Sequence, residues 1–310
     1  SDESSTFRVY PSITAVTVVP TAGDESSNPV IWRAAQASQQ VQWTDTTSTL
    51  TSVDVLVSLT GAGGLPGSNL VTSIASNTNG VNNTSSIVAP TTITTQGIIR
   101  VRDNDSTFAP YVYADSSIFN VYGKISYIAP TAGNTWKVST DHTISWTAYG
   151  VMGNLNIYYK YAATDDLGDY TLLTTVDGNT ISSYNWLTTA LPKIPDNVSN
   201  TVKVKITDAD QEANTAFKSG EFAITGGFDF NYVGNPNNPQ GQIVHIDSDT
   251  DPTDLVVGWR KTGTGVTTAK LEYSADGGAY QLISNSVTNT GADQADITYA
   301  WNPPISVASA

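Results

Sequence analysis

The residues best placed to do chemistry are four carboxylates, Asp247, Asp249, Asp251 and Asp254, in a stretch rich in oxygen donors. Alternate residues of an extended chain point to the same side. Aspartates at every second position can therefore converge on one hard cation, and calcium is the ion such a set takes. The competing reading is solvated turn residues, because the stretch lacks a glycine-containing ligand loop. Two smaller pairs, Asp103 with Asp105 and Asp208 with Asp210, follow hydrophobic alternations and invite the same two readings.

Catalytic constellations are not found. No His-Glu-x-x-His, Gly-x-Ser-x-Gly or phosphate-loop sequence occurs. The stretch GAGGLPG at 61–67 approaches a dinucleotide glycine motif, but Pro66 takes the third glycine position and no helical pattern follows, so a hairpin loop is expected. SADGGAY at 274–280 partly matches the Asp-box of sialidase propellers, yet it occurs once and reads as a turn. His142 and His245 are far apart, and His142 precedes a strand ending in Trp146, which suits a surface or core-edge ring. Paired carboxylates for glycoside cleavage would need a cleft that single sandwiches seldom provide. A non-catalytic protein is expected.

The chain has 14 Lys and Arg against 28 Asp and Glu, a formal charge of -14, which argues against nucleic acid or an anionic membrane surface as partner. With no cysteine, neither disulfides nor thiolate metal sites hold the fold. No apolar run approaches the roughly 18 residues of a membrane span, so no membrane insertion is expected. No charged-then-apolar signal opens the sequence, which is expected to be a mature or excised piece.

These groups must be carried by strands. Among 310 residues 39% are hydrophobic and 9% aromatic but only 14% charged, a mix that suits pleated sheets and gives two or three packed domains. Internal similarity organises them. PTAG at 20–23 recurs at 130–133, and each copy is followed by two tryptophans, Trp32 and Trp43 in the first and Trp136 and Trp146 in the second. A looser third copy, LVVGWRK, surrounds Trp259. Next comes a period-two alternation, Val53-Val55-Val57, Leu155-Ile157-Tyr159 or Ala269-Leu271-Tyr273, as a strand with one buried face requires. On the second of these, Tyr158 should face away from Tyr159 and Tyr161, so it is an aromatic that could meet a glycan. In the third copy Asp276-Gly277 supplies a hairpin turn. A closing pattern, Ser-x-Phe-x-(Val or Ile) or near it, places Phe7, Phe119 and Phe222 in DESSTFRV, ADSSIFNV and FKSGEFAI. A period of about 105 residues with some seven short strands is that of an immunoglobulin-like sandwich.

Together, Pro-x-x-Gly, Trp, Ile-x-Trp, Trp-x-x-x-x-x-Pro and Ser-Gly-x-Phe-x-Ile resemble a domain shared by Ser/Thr-rich fungal wall proteins and repetitive bacterial envelope proteins, including surface-layer proteins and large adhesins. Residues 125–226 carry the whole pattern. The first copy has Ser-Ser-Ile-Phe for Ser-Gly-x-Phe and lacks the late Trp, and the third lacks PTAG. The resemblance implies an extracellular, cell-surface scaffold, though such domains also serve as spacers in secreted enzymes.

The expected architecture is all-β: a closing strand of a preceding repeat at 1–11, Ig-like repeats at 12–122 and 123–226, and a repeat at 227–310 lacking its last strands. Trp301 should match Trp186, and truncation of a longer array explains such ends. The expected function is a self-associating structural component of a surface layer or envelope assembly. Its partners are copies of itself and neighbouring repeats of a longer parent chain. An adhesin or glycan-binding stalk, or an accessory region of a secreted hydrolase, is the alternative. Sequons at Asn82, Asn83, Asn104 and Asn197 would permit glycosylation. If Asp247, Asp249, Asp251 and Asp254 hold calcium, the ion at a hundredfold excess over its dissociation constant stabilises the third repeat by about 2.7 kcal/mol. Equal melting temperatures in calcium and in chelator would assign these carboxylates to solvent.

Overall fold

The computed structural model describes residues 8–22, 24, 27–45, 50, 52–64, 69–75, 83–161, 170–186, 198–234, 255–275, 277–292 and 294–301. The Asp247–Asp254 stretch, His245 and Phe7 lie outside them. Among the described residues there is no α-helix, and none is long and apolar enough to cross a membrane.

The first set of strands builds two facing sheets. One is β1 (Ile13–Val18), β3 (Gln39–Asp45) and β6 (Asn83–Ile87), in that order. The other runs β2 (Val30–Arg33), β9 (Phe119–Tyr122), β7 (Thr94–Asp103), β4 (Ser52–Ser58), β5 (Asn69–Ala75), with β8 (Tyr113–Asp115) added on β7. The second set repeats this order. β10 (Lys124–Ala129), β12 (His142–Tyr149) and β15 (Ser183–Trp186) face β11 (Thr135–Lys137), β18 (Phe222–Thr225), β16 (Ser199–Asp208), β13 (Asn154–Lys160) and β14 (Thr171–Asp177), with β17 (Ala216–Lys218) on β16. In the third set, β19 (Gly227–Gly234), β20 (Val256–Thr262) and β23 (Asp296–Ala300) form one sheet, and β21 (Thr268–Tyr273) pairs with β22 (Gln281–Thr288). These are tandem immunoglobulin-like sandwiches, as the alternation and spacing predict.

The recurrent residues explain why each sandwich closes. β2 and β9 pair in parallel with Trp32 beside Val121, and β11 and β18 do so with Trp136 beside Ile224. The pairings bring Trp32 within 4.7 Å of Phe119 and Trp136 within 4.8 Å of Phe222, both tilted, between ring centres. The serine three residues before each Phe has a defined task. The Ser116 hydroxyl accepts from the Ile99 N–H at 3.0 Å and donates to the Ser117 carbonyl, while Ser219 accepts from Val204 N–H at 2.9 Å and donates to the Gly220 carbonyl. It thereby satisfies backbone groups where the chain leaves β8 or β17 to start the closing strand.

Trp43, Trp146 and Trp259 are equivalent and almost fully buried, on β3, β12 and β20. Trp186 pairs with His142 across β12 and β15, and Trp301 donates its N–H to the Leu255 carbonyl, four residues before Trp259 as His142 is four before Trp146. The side chains agree: Trp186 lies 5.1 Å from Tyr159, and Trp301 4.9 Å from Tyr273. The glycines of both glycine-rich stretches take turn conformations, while 65–67 and Asp276 lie outside the described residues. Gly61 has φ +77° where β4 turns into β5, and Gly277 has φ +73° between β21 and β22.

Trp146→Ala is expected to destabilise the second sandwich by about 3–5 kcal/mol in chemical denaturation. Trp146→Phe should cost less, because the buried indole N–H of Trp146 has no acceptor and its removal relieves a desolvated donor.

Candidate functional site: the joints between repeats

The aspartate pairs are structural. Asp103 Oδ1 accepts from the Asp105 N–H at 2.9 Å, and Asp208 Oδ1 from the Asp210 N–H at 3.0 Å, so both are Asx turns ending β7 and β16. Burial raises the Asp208 pKa above the usual carboxylate value. Among the described residues no group of three or more His, Asp or Glu converges as a metal site. His142 is a core-edge ring stacked on Trp136 at 4.5 Å, near parallel, with Nε2 2.9 Å from the Thr140 hydroxyl.

The outer faces gather the scarce cations. Arg100 forks onto Asp115 at 2.7 and 2.8 Å and lies 4.0 Å over the Tyr113 ring. Arg102 pairs with Asp54 at 3.2 Å, and Asp54 also accepts from Asn104. Arg100, Arg102, Asn104 and Tyr113 line a cleft of about 590 Å³. On the second repeat Lys205 sits between the Tyr158 and Tyr170 rings, at 4.3 and 4.9 Å. Tyr158 faces away from Tyr159, as its alternation predicts, and donates to Glu212. That hydrogen bond first, then one from Asn156, holds the Glu212 carboxyl below its ordinary pKa.

Sequence reasoning missed the joints. β9 ends at Tyr122 and β10 begins at Lys124, and β18 ends at Thr225 and β19 begins at Gly227. A single glycine, Gly123 or Gly226, joins consecutive sandwiches. Each meets a second glycine in the loop after the buried Trp strand. Gly150 has φ +96°, and a Cβ there would stand 2.7 Å from Ala34 Cβ, 3.2 Å from the Thr91 carbonyl and 3.6 Å from Gly123 Cα. Gly263 has φ +108°, and its Cβ would stand 3.3 Å from Gly226 Cα, Val138 Cγ2 and Val198 Cγ1. Both positions thus favour glycine twice over, by backbone conformation and by space.

The two joints share a hydrogen bond as well: Ala34 N–H donates to the Tyr122 carbonyl at 2.8 Å, and Val138 N–H to the Thr225 carbonyl at 3.0 Å. At the first joint polar contacts add to it. Val151 N–H donates to the Thr91 carbonyl at 2.9 Å, Lys124 Nζ to Gln36 Oε1 at 2.9 Å, and Arg33, forked on Asp24 at 2.7 and 2.9 Å, to the Asn214 carbonyl. Asp24, Arg33, Gln36, Lys124 and Asn214 line a polar cleft of about 400 Å³. At the second joint the contacts are apolar, with Val138, Val198 and Val266 around Gly226, Gly263 and Gly265. A tryptophan followed four residues later by glycine, Trp146 to Gly150 and Trp259 to Gly263, is the signal that could have revealed them.

No family model and no curated protein matches the chain. Among solved structures it is similar to the fibronectin(III)-like modules of Clostridium thermocellum CbhA, at 15% identity over 68% of this chain and 92% of that one, TM-score 0.21. It is also similar to the teleost fish polymeric Ig receptor ectodomain, at 7% over 68% and 98%, TM-score 0.27, and to the FN1–FN3 domains of chicken CNTN1, at 12% over 94% and 87%, TM-score 0.26. The sandwich assignment rests on strand order and register.

Burial against Trp136 lowers the His142 pKa from its ordinary 6.5, so the folded state favours the neutral ring. The stability this residue contributes is whole above that value and is lost as pH falls through it towards the folded pKa, where the loss levels off. Lys137, whose carbonyl meets the ring, and Asp141 both act to raise the pKa, and desolvation outweighs them. The melting temperature should therefore decline between pH 7 and 5.5, and His142→Phe, which keeps the stack, should flatten that decline.

Proposed function

We propose that the chain is a non-catalytic, extracellular structural stalk in which 12–122, 123–226 and 227–310 stack end to end as units of a cell-surface assembly. The observation that carries this reading is the repeated joint: one-residue linkers, each wedged by a second glycine against the neighbouring sandwich. A freely articulated array needs slack between its domains; a load-bearing or spacing element needs joints that leave none. A component of a surface layer, packing laterally with copies of itself, is the specific form we favour, and electron microscopy of the native envelope tests it. A regular lattice supports that form; an envelope without one favours the adhesin.

The adhesin or glycan-binding stalk is kept as a second reading because of the Arg100–Tyr113 cleft, which offers an aromatic face beside planar hydrogen-bonding groups. Reproducible sugar binding on a glycan array, lost in Tyr113→Ala, would support it.

Gly150→Val should open the first joint without melting either sandwich, because its side chain would collide with Ala34 Cβ, 2.7 Å from a Cβ at this position, and separating the repeats relieves that clash. Small-angle scattering should show a broadened distribution of shapes, and protease should cut between Tyr122 and Lys124. Unchanged scattering and proteolysis would mean that Gly150 does not hold the joint.

A further inference from the structure

Among the sequons, Asn104-Asp105-Ser106 is the one whose three residues are all described and exposed. It follows β7 directly, on backbone held by turns. Asp105 N–H donates to Asp103 Oδ1 at 2.9 Å, Thr107 N–H to Asp105 Oδ1 at 2.8 Å and Phe108 N–H to the Asp105 carbonyl at 3.0 Å. The acceptor asparagine therefore stands on the surface of the folded chain, where a sequon is usable.

The sheet beside it supplies a seat for a sugar. Arg102 stands directly between Asp54 of β4 and Tyr113 of β8, and Arg100 faces Asp115 at the other end of β8. The Asn104 N–H bonds to the Ser52 carbonyl at 3.2 Å, which carries the ladder one residue past β7. Directly opposed residues share a face of a sheet, and so do residues two apart on one strand. Arg100, Arg102 and Asn104 thus project on the same side as Tyr113. All four line the cleft of about 590 Å³, with Ser106 at its rim. Arg100 lies over the Tyr113 ring, yet Tyr113 is 44% exposed. In rung order that ring stands between Arg100 and Asn104.

The asparagine is already aimed. Its Nδ2 donates to Asp54 Oδ1 at 2.5 Å, and Arg102 holds Asp54 at 3.2 Å. A primary amide has two N–H bonds, and N-glycosylation consumes one of them. The Nδ2–C1 bond to the sugar forms, the C1–O bond to a lipid-diphosphate carrier breaks, and the amide proton and the carrier diphosphate leave. The second N–H keeps its bond to Asp54, so the charged acceptor that orients the free amide orients the glycosylated one as well. The first pyranose then meets the cleft, with its apolar face available to Tyr113 and its oxygens to the Arg102 guanidinium.

We propose that Asn104 carries an N-linked glycan whose first sugars fold back into the Arg100–Tyr113 cleft, so that the chain fills its own sugar site. The proposal rests on the extracellular reading of the chain and on the reading of this cleft as a sugar site. It makes the occupant a neutral hexose or N-acetylhexosamine attached in cis.

Peptide mass spectrometry of the protein from its native envelope tests the modification. The peptide containing Asn104 is expected to carry a hexose or N-acetylhexosamine increment. A Ser106→Ala variant made in the same cells should lose that increment, although the Asn104–Asp54 bond stays in place. Unmodified Asn104 would overturn the proposal, and if the bare chain then bound free sugars on an array, the adhesin reading would survive without it. Proton magnetic resonance of the glycoprotein tests the seat. Sugar protons should be shifted upfield by the Tyr113 ring, and Tyr113→Phe should keep that shift whereas Tyr113→Ala abolishes it. A glycan on Asn104 whose proton shifts are the same in Tyr113→Ala would overturn its return into the cleft.

Discussion

The structure depends on one pairing, the return of the last strand of each of the first two sandwiches alongside its short second strand. It is parallel, so sequence-distant ends of the repeat meet, and it is sealed by an aromatic contact, Trp32 with Phe119 and Trp136 with Phe222. Phe119 and Phe222 are also the points where the serine hydroxyls have just satisfied the neighbouring backbone. Because the closing strand runs directly into the linking glycine, the same pairing that completes one core also aims the chain into the next sandwich. Closure and stacking are thus one geometric event.

That coupling explains the differences between the joints. A residue with no side chain must sit at 150 and 263, since Ala34 Cβ and Val138 Cγ2, next to backbone bonded to the closing strand, stand where its Cβ would point. Around this fixed point the first joint uses ions and amides, Asp24, Arg33, Gln36 and Lys124, while the second uses valines. Polar contacts in a solvated cleft contribute little net energy. What they add is direction, since a forked Arg33–Asp24 pair aimed at the Asn214 carbonyl fits one relative orientation.

Much of this was legible in the sequence for a physical reason. A buried tryptophan needs a particular hole, so Trp43, Trp146 and Trp259 stay fixed in position while the loops around them vary in length. Period-two alternation then located β4, β13 and β21, and the repeated Phe located the closing strands. The joints were not legible from pattern alone. Gly150 and Gly263 are single residues whose requirement comes from a neighbouring sandwich, and composition carries no trace of a neighbour. The aspartate pairs left two readings open in the sequence, because an Asx turn and a metal ligand call for the same residue at the same spacing, and the backbone N–H groups of Asp105 and Asp210 decide for the turn. The Asp247–Asp254 stretch lies outside the described residues and is still an expectation from sequence.

The central claim is that consecutive sandwiches hold one relative orientation. The chain has no cysteine, so a pair of spin labels can be placed at will. Thr95 and Thr171, exposed on the first and second sandwiches, are suitable positions. Pulsed electron–electron resonance between labelled Thr95→Cys and Thr171→Cys should give a single narrow distance distribution, unchanged from low to physiological salt. A broad distribution, or two populations that exchange with salt, would contradict the account.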